Sequence, residues 1–253
     1  MAEPLAKPET AVAARRRALE ALQGLARSGS PLAARVRTVR DWEATRALPP
    51  PAPWSAVVPA VAALFPAGLP RGELIELAGR RSSGRFGLVT ALLAAATGAG
   101  ENAALVDLGN GLDPHGAAAA GVALPRLLWA RPSDLAQALA AAESLLGGGF
   151  PFVAVDLGLP PVPGGHGAET SWLRLARAAR AAQSVLVVSA PYRVCGIAAP
   201  CALALDAGRV RWQGRGSEPR LLDGIDAALD PARGHLAGSR APRSRSALRF
   251  AAS

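Results

Sequence analysis

The stretch "GELIELAGRRSSGRFGLVTALLAAA", residues 72–96, decides the fold. Glu73 to Ala78 is a short apolar run. Gly79 and Gly84 then bracket four residues, and an apolar segment of helical spacing follows. Strand, glycine-rich turn, helix is the arrangement of a phosphate-binding loop, G-x-x-x-x-G-K-[ST]. Here the glycine spacing holds and the paired serines Ser82 and Ser83 precede the second glycine. Arg85 and Phe86 stand where the lysine and the hydroxyl residue belong. A guanidinium is larger and flatter than an ammonium and does not sit between phosphates in the same way. Phe86 has no oxygen to offer a metal ion.

Outward from this stretch, short apolar runs alternate with helical segments. Strands are predicted at Ala103 to Asp107, Leu127 to Ala130, 150–158, and Val185 to Ser189. Two last strands, Ala202 to Asp206 and Arg209 to Trp212, are expected to join at Gly208. Helices are predicted over Leu88 to Thr97, around Ala117, from the opening residues Pro132, Ser133 and Asp134 to Leu146 with Gly147 to Gly149 ending it, and over Trp172 to Gln183. A Pro/Gly-rich loop covers 159–167. This alternation predicts an α/β fold with a mostly parallel central sheet flanked by helices.

The ends differ from the middle. Residues 1–50 carry nine basic and five acidic side chains, and 209–253 carry nine and four, whereas 51–208 carry ten of each. Excess positive charge at both ends points to an acidic partner, nucleic acid or protein. The candidate contacts are Arg15, Arg16 and Arg17 in an expected N-terminal helix over 11–28, and Arg240, Arg243, Arg245 and Arg249 in the tail. Three consecutive prolines in "RALPPPAPW", 46–54, break any helix and mark a boundary. The expected organisation is 1–50 as a basic helical segment with the start of the linker, 51–229 as the α/β core, and 230–253 as a basic, disordered tail.

Two cysteines, Cys195 and Cys201, make no disulfide framework and no zinc cluster. His115, His166 and His235 have no metal or base partner at useful spacing. No apolar leader opens the chain, and 87–100 is too short to span a bilayer, so a cytoplasmic protein without membrane contact is expected.

With these motifs in order, residues 66–212 resemble RecA. "RGELIELAGRRSSGRFGLVTALLAAA" resembles its first strand, P-loop and helix. "AALVDLGNGLDPHGAAAAGVALPRLLWARPSDLAQAL" is similar to the following segment, "FVAVDLG" to the Walker B strand with Asp156 as its acid, and "WLRLARAARAAQSVLVVSAP" to the next helix and strand. The resemblance implies a RecA-like fold of the P-loop NTPase type, and a nucleotide site at Gly79, Ser82, Ser83, Gly84, Arg85, Phe86 and Asp156. It also implies where that site departs from a working one. The lysine and hydroxyl positions hold Arg85 and Phe86. The water-activating carboxylate position, two residues after Asp107, is Gly109. The γ-phosphate sensor position holds Ser189 and Ala190, and only "PYRVCGIAAP" stands where a long DNA-binding loop would follow. Four changed elements lead us to expect no ATP hydrolysis and no ATP or magnesium cofactor. Asp156 then reads either as residual magnesium ligand or as a carboxylate capped by backbone N–H groups.

A RecA-like core with such a site and basic ends is similar to the ImuA family. That resemblance implies a non-catalytic accessory protein in SOS, DNA-damage-induced mutagenesis, serving translesion synthesis. Its implied partners are an ImuB-like Y-family polymerase protein, an error-prone replicative-type polymerase complex and RecA itself, with DNA contacts through the basic ends. Two alternatives stay open: a DNA-dependent ATPase or recombinase with an atypical Walker A loop, and a regulator like the SOS cell-division inhibitors.

Overall fold

A computed structural model describes residues 51–54, 58–159, 168–214, 221–233 and 244–249, with side chains for most of them. The expected N-terminal helix with Arg15, Arg16 and Arg17, the loop 160–167, and Arg240 and Arg243 lie outside the described residues.

Eight strands form one sheet in the order β3-β2-β4-β5-β1-β6-β7-β8. They are β1 (Leu74–Gly79), β2 (Ala103–Asp107), β3 (Leu127–Ala130), β4 (Phe152–Asp156), β5 (Val185–Ala190), β6 (Cys201–Gln213), β7 (Leu221–Arg233) and β8 (Ser244–Arg249). The first six run parallel. β7 and β8 continue the sheet antiparallel. Helix α1 (Pro59–Leu64) precedes β1, and the helices between the parallel strands are α2 (Arg85–Gly98), α3 (Pro114–Ala119), α4 (Leu135–Gly147) and α5 (Glu169–Ala182).

The central strands are buried along their whole length, as expected for a parallel sheet covered on both faces. Their side chains alternate between two cores. Ile75, Leu77, Leu105, Phe152, Ala154 and Val187 face α1 and α2. Leu74, Val106, Val153, Val155, Leu186 and Val188 face α4 and α5. Trp54, from the proline-rich stretch, packs edge-on against Phe152 with ring centroids 5.3 Å apart. Ala52 exchanges backbone hydrogen bonds with Leu69 at 2.8 Å. The end of the proline-rich stretch is thus built into the core instead of spanning open solvent.

Two expectations at the C-terminal side are corrected. The two short strands joined at Gly208 are one strand, β6, because the backbone absorbs residues 207–210 as an irregularity in its pairing with β7 instead of turning. The tail expected to be disordered from 230 on is partly ordered: β7 continues to Arg233, and Ser244–Arg249 pairs with it, Ala227 opposite Ser246. Backbone pairing with an open sheet edge needs few apolar side chains, so composition alone does not reveal it. Arg245 and Arg249 therefore stand on a strand.

Candidate functional site

Parallel strands deliver their carboxyl ends to one edge of the sheet, where ligand sites of open α/β folds lie. β1 ends at Gly79, β4 at Asp156 and β5 at Ala190, with Asp156 in register with Ser189 and Asp107 in register with Asp156. The turn from β1 to α2 takes the left-handed conformation twice, at Ser82 with φ 61° and at Gly84 with φ 86°. Arg80, Arg81 and Ser82 are exposed, whereas Ser83 is buried and its hydroxyl has no hydrogen-bond partner among the described residues. Ser83 lies against Gly79, leaving no space for a β-carbon there. The predicted helix starts three residues early: α2 begins at Arg85, directly after Gly84.

From that first helical position Arg85 turns inward and is 7% exposed. Its guanidinium crosses the end of β5 to reach β4. Nη1 donates to Asp156 Oδ1 at 2.5 Å and to Ser189 Oγ, and Nη2 donates to the Gly158 carbonyl at 2.6 Å. The Ser189 hydroxyl donates to Asp156 Oδ1 at 2.6 Å, and the Gly158 N–H donates to Asp156 Oδ2 at 3.0 Å. Asp156, 3% exposed, thus has both carboxylate oxygens engaged within the protein. The backbone part of the cap on Asp156 is one N–H, from Gly158, and Arg85 and Ser189 supply the rest.

Asp107 is likewise buried and spent on structure. It accepts from Gly111 N and Leu112 N, both at 3.0 Å, and from Trp129 Nε1 at 3.1 Å, so it folds the loop after β2. Phe86 is partly buried, packed on the α2 side of the core, with its ring facing Gly111. Gly109 lies against the backbone of Gly158, and a β-carbon on it would fall 2.5 Å from Gly158 Cα and 3.0 Å from Asp156 Oδ2. No side chain fits at Gly109 while the two loops hold this approach.

Sequence reasoning placed Gly79, Ser82, Ser83, Gly84, Arg85, Phe86 and Asp156 at one site, and the structure brings them to one sheet edge. It missed Gly158, and it noted Ser189 as a departure without seeing it as a partner of Arg85. It also missed Glu76. This β1 carboxylate is 0% exposed and accepts from Val194 N at 2.5 Å and Cys195 N at 2.8 Å, with Arg193 Nε at 3.4 Å. An acid inside an otherwise apolar strand was the available signal, since a buried charge needs partners. Burial and the neighbouring Glu76 push the Cys195 thiol well above its ordinary range, and burial with Glu73 nearby pushes Cys201 up to about 12. Both cysteines are buried and free, as expected. His115 is exposed at the start of α3, where Asp113 caps the helix. Among the described residues no His/Cys/Asp/Glu group is arranged to hold a metal, and no helix is long and apolar enough to cross a membrane.

Comparison with known proteins agrees with this layout. Residues 56–161 match the model of the RecA N-terminal domain. Protein RecA of Rubrobacter xylanophilus is 39% identical over 95 residues, which are 37% of this chain and 28% of that protein. Protein RecA of Methylococcus capsulatus is 41% identical over 90 residues, 35% of this chain and 26% of the relative. The chain thus spans little more than a quarter of the curated relatives it matches. The crystal structure of the RadB recombinase superposes with a TM-score of 0.51 at 16% identity, covering 73% of this chain and 90% of that one, a likeness of fold. On sequence over 56–161 and on fold beyond it, the chain carries a RecA-like core.

Proposed function

We propose that this RecA-like core works by contact and not by ATP hydrolysis, as an accessory protein in DNA-damage-induced mutagenesis. The observation that carries this reading is the bonding of Arg85 to Asp156, Ser189 and Gly158. A P-loop NTPase holds magnesium between the loop hydroxyl and the Walker B acid, and the loop lysine cradles the β- and γ-phosphates. Here the loop position has a phenyl ring, and both oxygens of the acid are bonded inside the protein. The cation that would face phosphates is turned into the sheet edge. This donor set does not fit a hydrated magnesium ion, which needs near-octahedral oxygen ligands. Gly109 leaves no room for a carboxylate to activate water. Of the changed positions, Arg85 and Ser189 bond to each other and both to Asp156, which supports a structural use of this edge.

The finer reading, a partner of an ImuB-like Y-family polymerase protein and of the error-prone polymerase complex, with RecA as a further partner, rests on the resemblance to the ImuA family. DNA contact would come through the basic ends. The test has two arms. Purified chain is assayed for ATP turnover with and without single-stranded DNA, and background rates are expected in both. Turnover well above background that Asp156→Ala abolishes overturns the non-catalytic reading in favour of an atypical recombinase. Affinity capture from DNA-damaged cells is expected to recover polymerase-cassette proteins. Recovery of a cell-division protein instead assigns the chain to that other class of SOS regulator.

A further inference from the structure

We propose that the amino edge of the sheet carries a site for the arginine side chain of a protein partner, between the turns that end α2 and α4. The proposal concerns the edge opposite Asp156 and does not depend on the reading above.

β2 and β4 are neighbours, with Ala103 in register with Phe152, so the turns that lead into them lie side by side. Residues 100–102 and 148–151 line one cavity there, of about 230 Å³. Pockets for drug-sized ligands run to roughly 300–1,000 Å³, so this one suits a single side chain. Gly100 and Gly149 take left-handed φ angles of 87° and 78°, and a β-carbon on either would meet nothing within 4 Å. The glycines therefore end both helices sharply and leave the cavity open.

Its lining is short of donors. The Gly100 and Glu101 amides bond to the Thr97 and Ala96 carbonyls and close α2. Those of Gly148, Gly149 and Phe150 bond to the Ser144, Leu146 and Leu145 carbonyls and close α4. Pro151 has no N–H. What remains is negative. The cavity holds the Glu101 carboxylate and the carboxyl ends of two helices, of 14 and 13 residues, neither with a basic residue in its last turn.

The end of α2 is already matched from outside, since Arg126 Nη1 donates to the Gly100 carbonyl at 2.6 Å. The end of α4 is not: the Gly148 and Gly149 carbonyls accept nothing among the described residues. Arg71 Nη2 reaches Glu101 Oε1 at a long 3.4 Å and offsets part of its charge, but no donor among the described residues reaches Oε2. The half-buried Phe150 ring stands beside Gly148, 3.9 Å from where a β-carbon would sit. An anion would find few donors here. A metal ion would find one carboxylate, and no metal-holding group exists among the described residues. A guanidinium brings five donors on a flat frame and stacks on aromatic rings, as Arg71 does on Trp54 at 5.1 Å and Arg131 on Trp129 at 5.0 Å. An ammonium lacks that plane.

The test follows backbone amide NMR signals of the isotope-labelled full chain. It is titrated separately with N-acetyl-argininamide, N-acetyl-lysinamide, free arginine and calcium chloride. Saturable shifts are expected at Gly100, Gly148 and Gly149 with the capped arginine, and weaker binding with the capped lysine. Glu101→Gln should weaken the capped arginine roughly threefold, the scale of a half-exposed charge pair. Gly148→Lys, at a position with an ordinary φ of −77°, puts a cation on the end of α4 from within and should remove binding. Unchanged or raised melting shows that each variant folds, and Gly147→Lys serves if Gly148→Lys does not. The proposal is overturned if the capped arginine gives no saturable shift at these glycines, or if its binding ignores both substitutions. Tighter binding of calcium gives the site to a metal ion, and tighter binding of free arginine gives it to a small molecule; either also overturns it.

Discussion

Gly109 and Gly158 pack backbone against backbone, so that a β-carbon on either would fall 2.5–2.6 Å from the other's Cα. This approach ties the loop after β2 to the loop after β4. Gly158 also needs its left-handed φ of 70°. Gly109→Ala is therefore expected to cost about 1–3 kcal/mol through overpacking. Gly109→Glu, which restores the RecA-like carboxylate, should cost more and yield no ATP turnover. Urea unfolding of both variants, with a phosphate-release assay, checks this.

Arg85 and Asp156 form a buried pair, and removing one partner leaves the other charge without compensation. Asp156→Ala and Arg85→Met alone should each cost roughly 3–5 kcal/mol. The double change Arg85→Met with Asp156→Leu should cost less than either, because no orphaned charge remains. A double-mutant cycle in urea measures the coupling.

Rebuilding the motif tests whether the loop alone silences the site. Arg85→Lys with Phe86→Thr restores the lysine and hydroxyl, but Gly109 and Ser189 stay as they are. ATP turnover is expected to remain at background in the phosphate-release assay. Stability should fall, since lysine cannot donate to Asp156, Ser189 and Gly158 in one plane.

Glu76→Gln weakens acceptance from Val194 N and Cys195 N. Hydrogen bonds to a charged group contribute about 1.5–3 kcal/mol each, so a loss of one to a few kcal/mol is expected. Amide exchange at Val194 and Cys195 should speed up more than in β4.

The thiols set an alkaline limit. Cys201 is pushed up to about 12 from 9.0 when folded, so the unfolded chain loses this proton first as pH rises. Stability from the buried neutral thiol is complete below pH 9 and declines between about 9 and 12, at about 1.4 kcal/mol per pH unit. Cys201→Ala should flatten that part of a pH–stability curve. Neither thiol should react with a thiol reagent at pH 8 until the protein unfolds.

The parallel strands were legible because each is a short apolar run closed by turn residues, as at Phe152–Asp156 and Val185–Ala190. The glycine loop and Asp156 could be placed at one sheet edge from motif order. The bond from Arg85 to Asp156 could not, because it joins residues 71 positions apart and depends on which way one long side chain turns. The same holds for Gly109 against Gly158, a contact visible only once both loops have shape. β8 escaped notice because Ser244–Arg249 reads as a polar, arginine-rich stretch with no apolar run to mark a strand, yet it registers with β7.

The strand order also shapes the birth of this protein on the ribosome. Leu74–Gly79 emerges early, yet its two neighbours are Val185–Ala190 and Cys201–Gln213, which are synthesised last among the parallel strands. Until they appear, both flanks of an apolar strand stay open to any other chain. A newly made chain truncated before Cys201 should therefore be a client of holding chaperones, while the finished one is not.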